Sequence, residues 1–489
     1  MIHTRATILF AGSICAAALL AAAAPASAQL SIDPYPTPIE AKADVINVDF
    51  VEFAVIPDAG NEAPRLMHLS DEPGTKRIFV STMRGMLYSV SYDGKTVTPY
   101  LDINAANWTV GVQFENPERG LQSFAFHPEF SQKGARGFGK FYTYVDTTNT
   151  TGTPDFTASA TAKRTHDTVL LEWTAKDPAA AAYDGDAPRE IFRAAQPFGN
   201  HNGGEIAFRP VKKGQEDYGL LYVGFADGGS GGDPFKLGQN MSSAFGKILR
   251  IDPLGKDSAN GKYGIPASNP FVKKPAADTL KEIYASGVRN PQRFSWDAKT
   301  GRMYLADIGQ NVVEEISPVT AGANLGWNKW EASFAFTNQQ VELTNPKPRS
   351  EAGMTWPVVE YDHRDPLLEP TKKAAITGVY VYRANAIKQL SNLLIFGDNP
   401  NGEIFYVHAD KLPAAGGQAA IRRILLNDKG TPKPLLQIIR EKNTAQGKPP
   451  AERADLRFGQ GPQGQIFVMN KRDGVIRLLV PNGQASGSR

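Results

Sequence analysis

Apolar residues in this chain alternate with polar ones over short stretches, and the stretches come in pairs joined by turns rich in Gly, Asp and Lys. "RLMHLSDEPGTKRIFVST" from Arg65 shows the unit: an apolar strand, a turn, then a second strand rich in aromatic and β-branched residues. Period-two alternation of this length predicts strands. Further copies are "GLQSFAFHPEFSQKGARGFGKFYTYV" from Gly120, "GGEIAFRPVKKGQEDYGLLYVGF" from Gly203, "PQRFSWDAKTGRMYLADIG" from Pro291, and "ADLRFGQGPQGQIFVMN" from Ala454. A looser copy, "ITGVYVYRANAIKQLSNLLIFGD", starts at Ile376. Third strands follow in several of them: "MLYSVS", "KILRID", "EEISPV", "EIFYVHA" and "GVIRLL". The second strands recur at intervals of roughly 60 to 90 residues, as sheet units carrying long loop insertions would.

The pattern predicts an all-β fold, a six-bladed β-propeller of four-stranded antiparallel blades over residues 61–482, with 29–60 as a lead-in and 483–489 as a flexible tail. Closing sheets into a wheel removes the edge-strand problem without one thick core. Repeat counting loses copies, so a seven-bladed wheel stays open. "TPKPLLQIIREK" reads equally well as a short helix or a strand.

The start of the chain reads differently. "MIHTR" is a short positive head, "ATILFAGSICAAALLAAAA" an apolar core, and "PASA" a run of small residues before Gln29, so residues 1–28 are expected to be an export signal. The rival, a retained anchor, has only a weakly apolar, Ala-rich core to work with. Cys15, the single cysteine, lies in this segment, so the exported chain is expected to lack disulfides and thiol nucleophiles. A periplasmic or secreted location follows. No later apolar run is long enough to span a bilayer. Gly 46 and Pro 35 fit a turn-rich β protein, and a net charge of +3 with 21% charged residues gives no field for nucleic acid.

Candidate chemistry sits in loops at strand ends, where a wheel would gather side chains from different blades. "GNHNGGEIAF" places His201 between two asparagines and before a glycine pair: a loop filler, a metal ligand or a general base. "SGVRNPQ" offers Arg289, Asn290 and Gln292, either an anion-binding set or a tie between blades. "DGGSGGDP" carries Asp227 and Asp233, a structural calcium site or a flexible turn. Trp327 in "NLGWNKWE" stacks on a sugar or fills space between blades.

"HNGGEIAF", "GKILRIDP", "YASGVRNPQRFSWD", "ADIGQNVVEEI", "NLGWN", "ITGVYVYR" and "LLIFGDNPNGEIF" together resemble the glucose/sorbosone dehydrogenase family, exported quinoproteins that use pyrroloquinoline quinone (PQQ). The resemblance runs from about Arg65 to Leu479. It implies a PQQ- and Ca²⁺-dependent oxidation of an aldose at C1, with an external electron acceptor. His201 would be the base, Asn202, Arg289, Asn290 and Gln292 would hold the cofactor, and main-chain carbonyls of Gly309 and Gln310 would hold calcium. Glu118 falls where a sugar-contacting amide is expected. Gly203 and Gly204 would let cofactor and sugar approach the backbone. Two departures stand out. Asp398 and Asn399 replace an expected lysine, and Arg453 and Arg457 lie near an expected arginine pair but out of register, leaving Asp398, Asn399 and Arg457 as candidates for that end of the cofactor. The same loops resemble the Hedgehog-interacting-protein-like branch, which implies the alternative of a non-catalytic wheel binding a carbohydrate or a protein. A calcium-dependent lactone hydrolase is a third reading, which the HNGG and VRNPQ loops do not suggest.

Overall fold

The computed structural model describes residues 33–484 except 274, 275, 277 and 345. The export segment read over 1–28 and most of the tail therefore lie outside the described residues. Within them the chain is mostly β, with a single α-helix among the described residues, Leu435–Ala445. "TPKPLLQIIREK" divides: Thr431–Lys433 is a short strand paired with Arg422–Asp428, and the helix starts at Leu435, where Leu435, Leu436, Ile438 and Ile439 form one apolar stripe buried against sheet five.

Each repeat in the sequence opens a sheet. Sheet one runs Leu66–Glu72, Arg77–Thr82, Met86–Ser91, Val97–Asp102 in antiparallel order. Sheet two is Leu121–Phe126, Lys140–Thr147, His166–Thr174 and Arg189–Gln196, with Phe156–Thr157 added in parallel at its edge. Sheet three is Ile206–Phe208, Leu221–Phe225, Lys247–Ile251, Ile283–Ser286, and sheet four is Pro291–Trp296, Met303–Asp307, Val313–Val319, Val359–Asp362. Sheet five is Ile376–Tyr382, Leu393–Asp398, Glu403–His408, Arg422–Asp428. Sheet six begins with Leu456–Gln460, Ile466–Asn470 and Val475–Val480.

The fourth strand of sheet six comes from the other end of the chain. Ile46–Val55, in the segment read as a lead-in, pairs antiparallel with Val475–Val480 and parallel with Ile46↔Ile424 to Asp49↔Asn427 of sheet five. Sheets five and six are thus joined into one path, which departs from the purely antiparallel expectation. The strand escapes a repeat search because its partners are more than 370 residues away.

Six apolar clusters lie between successive sheets. One joins sheets one and two around Phe79, Phe124 and Trp173; the next joins two and three around Tyr144, Val223 and Phe225. The series continues from three to four, four to five and five to six. A sixth cluster closes it, packing Phe467, Met469 and Ala54 of sheet six on Leu69 and Val80 of sheet one. The first strands of neighbouring sheets also lie side by side, Leu66–Glu72 between Leu121–Phe126 and Leu456–Gln460.

Candidate functional site

His201 lies in the connection from sheet two to sheet three. Its φ of 53° is left-handed, a conformation that costs a non-glycine residue energy and persists only where the surroundings impose it. Two carboxylates do so. Glu118 accepts the His201 backbone N–H at 3.0 Å, and Asp227 lies 2.8 Å from ring Nδ1. An ionised carboxylate can only accept, so Nδ1 carries the proton and Nε2 presents its lone pair. Nε2 has no hydrogen-bond partner among the described residues. Asp227 is itself fixed: its Oδ1 also accepts from Gly229 N at 2.9 Å, and its Oδ2 accepts from Trp327 Nε1 at 2.8 Å.

Arg289 and Asn290 precede the first strand of sheet four. Asp307, at the end of the next strand, accepts both backbone N–H groups, at 2.8 and 2.7 Å. The Arg289 guanidinium donates to the Ile308 carbonyl at 2.8 Å and to Gln310 Oε1 at 3.0 and 3.1 Å, and lies over the Trp327 ring. Burial pushes the Asp307 carboxyl up to about 7 against the pull of the two N–H groups and of Arg289. The Arg289 carbonyl accepts from Asp227 N at 2.8 Å, so the two loops brace each other.

Both loops open on one cavity of about 1130 Å³, which Glu118, His201, Asn202, Arg289, Asn290, Gln292, Gly309, Gln310, Asn399 and Arg457 all line. The fold therefore brings together most of the residues that the sequence singled out. Behind Gln122 and Gln292, the guanidinium of Arg293 ties four sheets. It donates to Met67 O at 2.8 Å and Gln122 O at 3.4 Å and lies 3.3 Å from Glu205. Burial pushes Glu205 up to about 8, with Arg293 opposing. Gln292 Oε1 is buried without a partner among the described residues.

Several expectations are corrected. Trp327 does not line the cavity; it is buried, its indole N–H is committed to Asp227, and its ring packs on Phe336. Asp398 also lies behind the wall. Its oxygens accept from Asn401 N and Nδ2, Ala375 N and Tyr361 OH, so none is left for a cofactor. Asp227 and Asp233 do not form a calcium site. Asp227 orients His201, while Asp233 accepts from Leu237 N and Gly238 N. Beside it the buried Lys247 Nζ donates to the carbonyls of Leu237, Gly238 and Phe245. Gly203 lines the cavity and Gly204 does not, and packing also demands both: a Cβ on Gly203 would stand 2.5 Å from Gly224 O, and one on Gly204 3.0 Å from Gln122 Cβ.

The wall from sheet six was legible only in part. Arg457 is buried, and its Nε has no hydrogen-bond partner among the described residues. Arg453 bonds Asn399 Oδ1 at 3.0 Å. Lys471, in the turn after Ile466–Asn470, and Arg65, just before sheet one, complete a cationic surface that sequence reading missed. These residues are distant in sequence and belong to no shared motif.

The model of the family described as Glucose / Sorbosone dehydrogenase matches residues 62–428. The chain belongs to the glucose/sorbosone dehydrogenase family. Among its relatives is the HIPL1 protein of Arabidopsis thaliana, 30% identical over 66% of this chain and 49% of that protein. Hedgehog-interacting protein of Homo sapiens is 26% identical over 68% of this chain and 40% of its own length. The chain thus spans less than half of either relative. Among solved structures, the PQQ-bound aldose sugar dehydrogenase of Streptomyces coelicolor superposes with a TM-score of 0.55 at 19% identity, covering 91% of this chain and 99% of that one. This likeness shows a shared glucose/sorbosone dehydrogenase fold.

The lining residues suit the cofactor that this relative holds. Guanidinium and amide groups converge on one cavity, with buried Gln292 Oε1 and Arg457 Nε unpartnered among the described residues. The carbonyls of Gly309 and Gln310 accept no hydrogen bond from the described residues, and calcium takes such oxygens. No group of three or more His, Cys, Asp or Glu side chains among the described residues could hold a metal ion. No helix among them is long and apolar enough to cross a membrane.

Proposed function

We propose that the chain is an exported, six-bladed propeller dehydrogenase that oxidises an aldose or related sugar aldehyde at C1, using PQQ and calcium and passing electrons to an external acceptor. The wheel is supported by the six apolar clusters that link sheet to sheet and return to the first. The activity is supported chiefly by one observation: an imidazole with Nδ1 locked on a buried carboxylate stands in the same cavity as a braced guanidinium and amide. Export rests on residues 1–28.

When bound, PQQ supplies the acceptor for a hydride and calcium the Lewis acid beside it. The chain's own groups do the rest. His201 Nε2 takes the C1 hydroxyl proton as the hydride leaves C1, so the product is the lactone. Asp227 holds the tautomer and stabilises the imidazolium that forms. Glu118 fixes the backbone of His201 and offers its carboxylate to sugar hydroxyls. Arg289, Asn290, Gln292 and Asn202 orient the quinone, and Arg457 with Asn399 receives its anionic end.

The test is reconstitution of purified protein with PQQ and Ca²⁺, followed by dye reduction with a panel of aldoses. Turnover is expected, and His201→Ala should abolish it while quinone absorbance stays on the protein. A second reading, a non-catalytic binder of carbohydrate or protein, draws on the identity with Hedgehog-interacting protein. No dye reduction and no quinone absorbance would select it.

A further inference from the structure

Between the third and fourth strands of sheet four, the chain makes an excursion outside the six sheets: a small sheet of Trp330–Glu331, Phe334–Thr337 and Gln340–Val341. It brings Glu331 to the loop that follows Asp307. Glu331 Oε1 accepts three consecutive backbone N–H groups, from Asn311 at 3.1 Å, Val312 at 2.7 Å and Val313 at 2.9 Å. Its Oε2 is buried without a hydrogen-bond partner among the described residues. The side chain has no ion-pair partner among them either, although Glu331 is only 2% exposed; the imidazole of His363 is bonded to Glu314 Oε1 at 2.7 Å instead. A carboxylate buried in this way is costly unless a cation joins it. The turn alone does not call for the charge, because a neutral amide oxygen could accept the same three N–H groups.

These bonds also set the direction of the carbonyls. In a trans peptide the C=O of one residue and the N–H of the next point opposite ways, and the peptides of this loop are trans. Drawing the N–H groups of Asn311 and Val312 onto Glu331 therefore turns the carbonyls of Gln310 and Asn311 away from it. Both residues line the cavity, and neither carbonyl accepts a hydrogen bond from the described residues. The next carbonyl, that of Val312, is taken by His363 N at 2.9 Å. Gly309 is held separately: its N–H donates to Glu314 Oε2 at 3.3 Å, and a Cβ there would clash with the Val313 carbonyl.

On the proposed dehydrogenase reading, we infer that Glu331 is the positioning residue of the calcium site: it aims the carbonyls of Gln310 and Asn311 and sets a negative charge behind them. The Asn311 carbonyl thereby joins those of Gly309 and Gln310 as a ligand. Calcium affinity follows the charge and the rigidity of a site, and Glu331 supplies both through the backbone, without touching the ion. The same excursion carries Trp327, whose indole N–H holds Asp227 and through it His201. One insertion in sheet four thus braces both loops of the site.

The experiment is a calorimetric titration of chelator-stripped protein with Ca²⁺, run with and without PQQ, on the wild type, Glu331→Gln and Glu331→Ala. With PQQ present, quinone absorbance on the protein is a second readout. Glutamine keeps an oxygen for the three N–H groups and removes the charge; alanine removes both. The calcium dissociation constant is expected to rise about tenfold in Glu331→Gln and about a hundredfold in Glu331→Ala. Excess calcium should return the quinone absorbance of Glu331→Gln to the wild-type level. Circular dichroism in chelator checks the fold, and where Glu331→Ala does not fold, Glu331→Gln decides alone. Calcium affinity unchanged in Glu331→Gln overturns the inference. So does a lower melting temperature in chelator with calcium affinity intact, which would leave Glu331 a role in folding only. A wild type that binds no PQQ at any calcium concentration removes the dehydrogenase reading instead, and the titrations without PQQ still test Glu331.

Discussion

His201 shows how much one residue depends on others that its own motif does not contain. The loop "GNHNGG" announces an unusual histidine, but the groups that define its chemistry are Asp227, in the next sheet's loop, and Glu118, in the previous one. Asp227→Asn would replace an obligate acceptor with an amide that can donate, freeing the ring to adopt the other tautomer. Reconstituted Asp227→Asn is expected to lose about a hundredfold or more in kcat while retaining PQQ, measured by steady-state dye reduction beside quinone absorbance. Glu205 gives a pH prediction. Its folded-state pKa is raised by burial from 4.5 to about 8, so the folded protein binds the proton more tightly than the unfolded one. That contribution is complete below about 4.5 and is lost as pH rises through about 8. Glu205→Gln should flatten this part of the melting temperature profile; an unchanged slope across the window would show that Glu205 titrates normally.

At the scale of elements, the strand pairs were legible because alternation and turn residues are local. The pattern places the starts of the six second strands near Ile78, Phe141, Leu220, Met303, Leu393 and Ile466, and each strand begins within one residue of that position, as at Arg77–Thr82 and Ile466–Asn470. The fourth strands, such as Val97–Asp102 and Arg189–Gln196, were not read: their starts are exposed or half-buried, which weakens the alternation. The glycines of the His201 loop are also required by packing. Gly203 has φ +73°, and a Cβ there would meet the Gly224 carbonyl. Gly203→Ala is expected to cost about 2–4 kcal/mol in denaturant unfolding, strain plus a backbone clash. Gly214→Ala, with φ +89° and nothing within 4 Å, should cost only about 1–2 kcal/mol, since strain acts alone.

At the scale of the molecule, the strand Ile46–Val55 fastens sheet six, and the cluster that joins sheet six to sheet one includes its Ala54. Deleting residues 33–56 would strip Ile39, Val48 and Ile56 from the apolar clusters and leave the outer edge of Val475–Val480 unpaired. The loss is expected to be at least about 4 kcal/mol, at 1.5–3 kcal/mol for each large apolar side chain, with a lower and broader thermal transition. A truncated chain that melts like the full one would show that the ends are not fastened this way.

The β character, the six strand pairs, and the loops in which His201 and Arg289 stand are local properties of the chain, because each depends on neighbours a few residues away. The tertiary structure alone decided which carboxylate turns His201, that Asp398 and Trp327 face away from the cavity, and that Arg65, Arg457 and Lys471 share one wall. Those facts depend on chain segments hundreds of residues apart being brought within hydrogen-bond distance. Packing between sheets sets that proximity, and local alternation carries no record of it.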